Sequence, residues 1–115
     1  MTDRELIEAA AKAAGLHTQW HSGSDSLTIL REFAHDPPRR ATDWTIWNPL
    51  IDDGDALRLA VKLGVGTDHA SRRSWAWRSW GNPTVLANEE QHNGDPYVAT
   101  RRAIVRAAAA IGLSA

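Results

Sequence analysis

The segment GDPYVATRRAIVRAAAAIG, residues 94–112, constrains the fold most, because it carries the beginning, the apolar face and the end of one long helix. Asp95 can accept the free N–H groups of the first turn, and Pro96 stands at the first helical position, where a missing N–H costs nothing. At about 100° per residue, one face is apolar and the opposite face is basic. The apolar face holds Tyr97, Ile104, Ala108 and Ile111, and the basic face holds Arg102 and Arg106. The segment therefore predicts a core-facing helix that Gly112 ends in a left-handed conformation.

The length of 115 residues suits a single domain over residues 1–115 that folds without disulfides. The chain has no Cys, which excludes a thiol nucleophile and a thiolate metal site and suits a reducing cytoplasm. Thirteen Lys and Arg against fourteen Asp and Glu leave almost no net charge to draw the whole protein to nucleic acid or to an anionic membrane. No apolar run approaches the roughly 20 residues of a membrane span, and the start lacks the regions of a signal peptide. We therefore expect a cytoplasmic protein without membrane contact.

Local signals at the beginning of the chain predict a helix and then a β-hairpin. Thr2 and Glu5 have the spacing of a capping box and Gly15 supplies a stop, so a helix is expected over about residues 3–14. The turn-forming SGSD then separates LHTQWH from SLTILREF. In the second strand, Leu27, Ile29 and Arg31 share one face and Thr28, Leu30 and Glu32 share the other. The stretch AHDPPRRATD, with two consecutive prolines, is expected to be a surface loop.

The segment WNPLIDDGDALRLAVKLG predicts a second helix that begins at Asp52 or Asp53 and ends at Gly64. Its apolar residues lie on two nearly opposite sides, which predicts burial on both sides. One side holds Leu57, Ala60 and Val61, and the other holds Leu59 and Leu63. Two strands are expected next, in RRSWAWRSW and PTVLANEE, with a short third strand beginning at Val65.

These helical segments, in this order after MTDRELIEAAAKAAG, resemble a family of small phage and prophage proteins called the phage ABA sandwich domain. The resemblance covers about half of the chain. It implies an α+β fold in which three helices surround an antiparallel sheet built of β-hairpins, in the order α-ββ-α-ββ-α. It also implies a phage or prophage origin and a location in the cytoplasm of the bacterial host. It carries over no activity and no catalytic residue.

The acidic and histidine clusters favour structural roles over metal binding. Asp52, Asp53 and Asp55 could offer oxygen ligands to Mg²⁺ or Ca²⁺, but an EF-hand loop counted back from Gly54 would begin at Pro49, so helix capping is favoured. His17 and His21 share one strand face but are too far apart to share a metal easily, which favours a solvated face. His35, His69 and His92 have no ligand partners at motif spacing and are interpreted as surface residues. No metal and no cofactor is expected.

Catalytic signatures are missing from the sequence. Gly64-Val65-Gly66 follows a helix instead of preceding one, and there is no phosphate loop, nucleophile elbow or zincin helix. Ser22, Ser24 and Ser26 lie near His21 and Asp25, but triad members normally come from distant segments. We therefore expect no catalytic residue, and an enzyme whose site is assembled only in three dimensions remains the second alternative.

The segment SRRSWAWRSW, residues 71–80, combines three Trp with three Arg and no acid. As a strand it places Arg73, Trp75 and Trp77 on one face, and Arg72, Arg78 and Trp80 on the other. Stacked aromatic rings beside cations would suit a module that binds single-stranded nucleic acid, with Arg72, Arg73, Trp75, Trp77 and Arg78 as its contacts. The favoured interpretation is packing, with Trp75 and Trp77 facing the helices and Arg72 and Arg78 facing solvent.

Trp44 and Trp47 are expected in an irregular loop after Pro37-Pro38 and are the candidates for a partly exposed protein-contact surface, since aromatic residues are enriched in interfaces. The sequence thus predicts a non-catalytic phage or prophage accessory protein that binds a host or phage protein. The first alternative is the nucleic-acid-binding module that uses strand 71–80.

Overall fold

Three helices and six strands make up the part of the chain that the computed structural model describes, residues 1–30, 44–78 and 85–114, with only the backbone at 85–88. The helices are α1 (Asp3–Ala13), α2 (Asp53–Leu63) and α3 (Pro96–Ser114). The strands are β1 (Thr18–His21), β2 (Ser26–Leu30), β3 (Trp44–Ile46), β4 (Gly66–His69), β5 (Arg73–Arg78) and β6 (Val85–Gln91). The predictions for Arg31, Glu32, the loop at 34–43 with His35, and Trp80 lie outside the described residues.

Helix α1 has the predicted N-cap at Thr2 and the predicted stop, and its Glu5 carboxylate accepts the Thr2 hydroxyl where a capping box would have it accept the Thr2 amide. The amide of Glu5 donates to Thr2 Oγ1 at 3.1 Å, and that hydroxyl donates to the Glu5 carboxylate at 3.1 Å. Gly15 adopts a φ of 69°, and the amide of Leu16 donates to the Ala11 carbonyl at 3.0 Å, which closes the helix. Leu16 then packs against the core. The expected helix over about 3–14 is confirmed.

Sheet A contains β1, β2 and β3 in antiparallel order, and sheet B contains β4, β5 and β6 in antiparallel order. The predicted hairpin at the start of sheet A is confirmed, with Trp20 opposite Leu27 and a turn in which Asp25 has a φ of 50°. The short strand expected near Val65 is also present, as β4. The α+β class with three helices is confirmed. Its β regions each contribute three strands and form two small sheets.

Helix α2 begins and ends as predicted, but it is buried on one side only. Asp52 accepts the amide of Asp55 at 2.8 Å as N-cap, and Gly64 has a φ of 67°. The buried side consists of Ala56, Leu59, Ala60 and Leu63. Leu57 and Val61 are instead exposed, so the prediction of two buried sides was wrong. Helix α2 packs on α3, and no described element covers its outer side.

Helix α3 packs against α1, α2 and sheet B. The Asp95 carboxylate accepts the amides of Tyr97 and Val98 at 3.0 and 3.2 Å, which confirms the predicted cap. Tyr97 is exposed, contrary to the prediction, and the buried residues of α3 begin at Ala99; Ile104, Ala108 and Ile111 are buried as expected.

The end of α3 also differs from the prediction, because the helix continues through Gly112 to Ser114. Gly112 is buried at the crossing with α1, where its missing side chain lets the two backbones approach. None of the described helices combines the length and the apolarity needed to cross a bilayer.

Candidate functional site

One exposed apolar surface of the described residues lies where α2 meets the beginning of α3. Leu57 and Val61, one turn apart on α2, are 64% and 74% exposed, and Tyr97 on α3 is 68% exposed. These three side chains line an open cavity of about 570 Å³ whose floor includes Ala60 and Ile104. We call this surface the α2–α3 groove. Isolated exposed apolar residues are ordinary, but a cluster around a hollow is typical of a binding surface.

One end of the groove is held by an arginine that joins the two helices. The Arg101 side chain, 15% exposed, donates to Asp53 Oδ1 at 2.6 Å and to the Leu50 carbonyl at 2.9 Å. Arg101 lies on α3, whereas Asp53 and Leu50 belong to the beginning of α2 and the turn before it. This contact fixes the separation of the helices, so the groove is formed in advance instead of requiring rearrangement.

A second apolar hollow, of about 840 Å³, lies on the other side of Leu57 and Val61. Its lining includes Ile29 on β2 and Ile46 on β3, and Ile46 is itself exposed. Leu57 and Val61 therefore form a ridge between two hollows. An apolar ridge with a depression on each side offers more contact area than the same residues on a flat surface.

The predicted protein-contact residues are only partly available for such a role. Trp44 is half-buried on β3, and Trp47 is 4% exposed and belongs to the core. The amide of Trp47 donates to the Leu27 carbonyl at 2.9 Å, which extends the pairing of β2 with β3 and directs the residue inward. The expectation that Trp47 would be partly exposed was wrong. The exposed apolar surface lies on α2 instead.

Strand β5 buries the face opposite to the one that the packing interpretation predicts. Ser74, Ala76 and Arg78 are buried, whereas Trp75 and Trp77 are half-buried on the opposite face of the sheet. Small side chains at Ser74 and Ala76 allow the alanine-rich α3 to approach the sheet closely. Arg78 is enclosed, with Nη1 3.5 Å from the Leu63 carbonyl. Trp75 and Trp77 therefore do not face the helices, and Arg78 does not face solvent.

The outer face of sheet B carries stacking surfaces but little free positive charge. A Cβ at Gly66 would lie 3.2 Å from the ring of Trp77, so this indole covers the glycine opposite it. Trp75 stands between Asp68 and Glu89 in the strand register, and opposite residues share a face. Arg73 on the same face is paired with Glu89 at 2.6 Å. Of the five predicted nucleic-acid contacts, Arg72 alone is an exposed cation without an ion pair to the described residues.

A polar cluster that sequence reasoning missed lies beneath the beginning of α3. Ser74 Oγ, fully buried, is 2.9 Å from His92 Nε2 and 3.3 Å from His69 Nδ1, and it accepts a hydrogen bond from Thr100 at 3.0 Å. These residues come from β5, from the ends of β6 and β4, and from α3. Their spacing along the chain carries no motif, so only the strand pairing reveals the cluster.

The chemistry of this cluster is that of a hydrogen-bond network. A serine beside an imidazole is the arrangement of an activated nucleophile, but a nucleophile must reach its substrate. Ser74 has no exposed surface, and its hydroxyl is surrounded by three partners. In the described part of the chain, no three His, Cys, Asp or Glu side chains are placed to share a metal ion. The network therefore holds α3 and the two histidines in place.

The acidic residues of α2 have the structural roles that the sequence favoured. Asp52 caps the helix, Asp53 pairs with Arg101, and Asp55 accepts both the Asn48 amide at 3.0 Å and Arg58 at 2.9 Å. Of the two histidines on β1 and the residue before it, His21 has its Nε2 3.0 Å from Thr28 Oγ1 on the neighbouring strand β2.

Comparison with known proteins adds no further constraint: no protein-family model matches the chain, and neither the curated proteins nor the solved structures contain a match.

Proposed function

We propose that this chain is a non-catalytic binding module that holds a protein partner in the α2–α3 groove. The observation that carries the proposal is the exposure of Leu57, Val61 and Tyr97 around one hollow. Complete burial of a side chain of this size is worth about 1.5–3 kcal/mol, and tyrosine is among the residues that dominate interface energies. The resemblance to small phage and prophage proteins suggests a host or phage protein as the partner.

The polar residues in the lining of the groove favour a specific partner over non-specific hydrophobic association. Arg101 and Asp53 form an ion pair in the lining of the groove, and Thr67, His69 and Thr100 line it as well. An apolar centre with polar groups around it is the usual organisation of a protein interface. A bound segment would therefore bury apolar side chains and also meet hydrogen-bonding groups.

The experiment compares three forms of the protein as bait in lysate from an infected or lysogenic bacterial host. Wild type and Leu113→Ser should capture the same partner, because Leu113 is an exposed apolar residue on α3 outside the groove. The double variant Leu57→Ser/Val61→Ser should lose it while keeping its melting temperature. Equal capture by all three forms, or no partner captured by wild type, would contradict the proposal.

A second candidate function is binding of single-stranded nucleic acid on the outer face of sheet B. The observation that favours it is the position of Trp75 and Trp77 on the face turned away from α3. Two aromatic residues separated by one position on a strand lie about 7 Å apart, a spacing suited to successive bases. Asp68 and Glu89 beside Trp75 oppose it, since they would repel phosphates.

A further inference from the structure

A polar cavity of about 480 Å³ lies at the end of sheet B, where β5 begins and β6 ends. Its lining includes Arg72, Arg73, Gln91, His92 and Asn93, and none of the described residues that line it is acidic. The amide of His92 donates to the Arg72 carbonyl at 2.8 Å, which joins the two chain segments that form the walls. The cavity thus combines cations with amide donors on a rigid support.

Of the two arginines that line this cavity, Arg72 is available to bind a ligand. The side chain of Arg72 is exposed and forms no ion pair or hydrogen bond with the described residues. Arg73 Nη1 forms an ion pair with Glu89 Oε1 at 2.6 Å. Asp95, which follows the cavity wall in sequence, is turned onto the amides of Tyr97 and Val98. The residues that line the cavity therefore carry only positive formal charge, with Asp95 and Glu89 beside them and outside the lining.

The Ser74 cluster supports the cavity from behind. His92 Nε2 lies 2.9 Å from Ser74 Oγ, and Thr100 Oγ1 lies 3.0 Å from Ser74 Oγ and 2.7 Å from the Pro96 carbonyl oxygen. When Ser74 gives its single proton to Nε2, the neutral imidazole carries its own proton on Nδ1. His92 Nδ1 has no hydrogen-bond partner among the described residues. The buried serine thereby orients an imidazole whose second nitrogen remains available to a ligand.

We propose that this cavity binds a phosphate group, with Arg72 and His92 Nδ1 as its donors and Ser74 as a positioning residue. An arginine side chain presents parallel N–H groups that match two phosphate oxygens, and charge-assisted bonds of this kind are strong. The phosphate can belong to a small phosphomonoester or to the backbone of a single-stranded nucleic acid. This site adjoins the α2–α3 groove at Pro96, but its proposed donors, Arg72 and His92, do not line the groove, so the proposal does not depend on whether the groove binds a protein.

The first experiment titrates the folded chain with inorganic phosphate, with chloride at the same ionic strength as reference, and follows the imidazole signals of His92 by NMR. We expect saturable binding with movement of those signals. Arg72→Gln should weaken binding about tenfold or more, since a charge-assisted pair is lost. Lys62→Gln is the matched control, because it removes an exposed cation of α2 that does not line this cavity. Its affinity should equal that of wild type.

The positioning role of Ser74 needs its own variants. Ser74→Ala should weaken phosphate binding severalfold and change the tautomer signature of His92, whereas Ser74→Thr, which keeps the hydroxyl, should retain more of both. If Ser74→Ala does not fold, His92→Gln tests the same donor from the cavity side. Binding that is no stronger for phosphate than for chloride, or equally affected by Arg72→Gln and Lys62→Gln, overturns the proposal.

A final comparison distinguishes the two sources of the phosphate. Thymidine 5′-monophosphate presents a terminal phosphate, and an oligothymidylate without terminal phosphate presents only diesters. Binding of the monophosphate alone identifies a phosphomonoester site. Binding of the oligonucleotide, lost in Arg72→Gln, identifies a backbone phosphate and links the cavity to the stacking face of Trp75 and Trp77. Binding of neither overturns the inference.

Discussion

Gly112 of α3 lies directly against Ala9 of α1, so that a Cβ at position 112 would overlap the Ala9 carbonyl oxygen and lie 3.1 Å from the Ala9 carbonyl carbon. This contact involves backbone on one side, which cannot move aside as a flexible side chain could. The crossing of the first and last helices therefore depends on the absence of one methyl group.

Gly112→Ala should accordingly destabilise the fold. Overpacking typically costs about 1–3 kcal/mol, and this exceeds the gain of up to about 1 kcal/mol from replacing a helical glycine by alanine. Gly23→Ala is the control, because Gly23 lies in open space without a positive φ. Chemical denaturation of both variants measures the difference. A Gly112→Ala variant as stable as wild type would show that α1 and α3 cross differently.

Ile104→Asp should unfold the domain, because it places an unpaired charge among the buried residues of α3. Leu113→Asp makes the same kind of change on the same helix at a position that is 62% exposed, and it should cost less than about 1 kcal/mol. Circular dichroism melting curves separate the two outcomes. Similar melting temperatures would contradict the assignment of the buried face.

Millimolar Mg²⁺ or Ca²⁺ should leave the melting temperature unchanged, because the carboxylates of Asp52, Asp53 and Asp55 are already engaged by amides and arginines. A true site would stabilise by mass action, visible as a saturable increase. The capping role predicts that Asp52→Ala costs about 0.5–2 kcal/mol and that Asp52→Asn is nearly neutral. Equal losses in these two variants would argue against capping.

Oligonucleotides should quench the fluorescence of Trp75 and Trp77 only weakly, because Glu89 neutralises Arg73 and Arg78 is buried. Glu89→Gln should strengthen binding by releasing Arg73, and the salt dependence should become steeper. Titration at low and moderate salt measures both effects. Micromolar binding by wild type that is lost in Trp75→Ala, with the fold retained, would favour the nucleic-acid function over the protein partner.

The chain's local signals were sufficient to predict the three helices and most of the strands, but not β3 or the end of α3. The caps at Thr2, Asp52 and Asp95, the stops at Gly15 and Gly64, and the turn before Ser26 all act through hydrogen bonds and dihedral angles within a few residues. Such interactions are formed by neighbours in sequence, so periodicity and residue type are enough to locate them.

Tertiary packing alone decided which faces those elements bury. Periodicity identified the apolar sides of α2, but it could not show that Leu57 and Val61 would have no described element over them. The alternation of β5 was correct, whereas the choice of buried face depended on how closely α3 approaches Ser74 and Ala76. The sequence suggested that Gly112 ends the helix. Its actual role is to let α3 cross α1 at Ala9, and that contact joins residues about one hundred positions apart, so no local signal shows it.

The same limit applies to the candidate sites. The α2–α3 groove joins residues of two helices, and the Ser74 cluster joins ends of three strands and one helix, so neither has a spacing that a motif could capture. The sequence by itself determined the three helices, the first hairpin and most of their ends, because those depend on local backbone hydrogen bonds, whereas β3 forms by pairing with β2 and was not predicted. Which side chains converge, and which remain open to a ligand, was decided by the tertiary structure, because burial depends on contacts between segments that are distant along the chain.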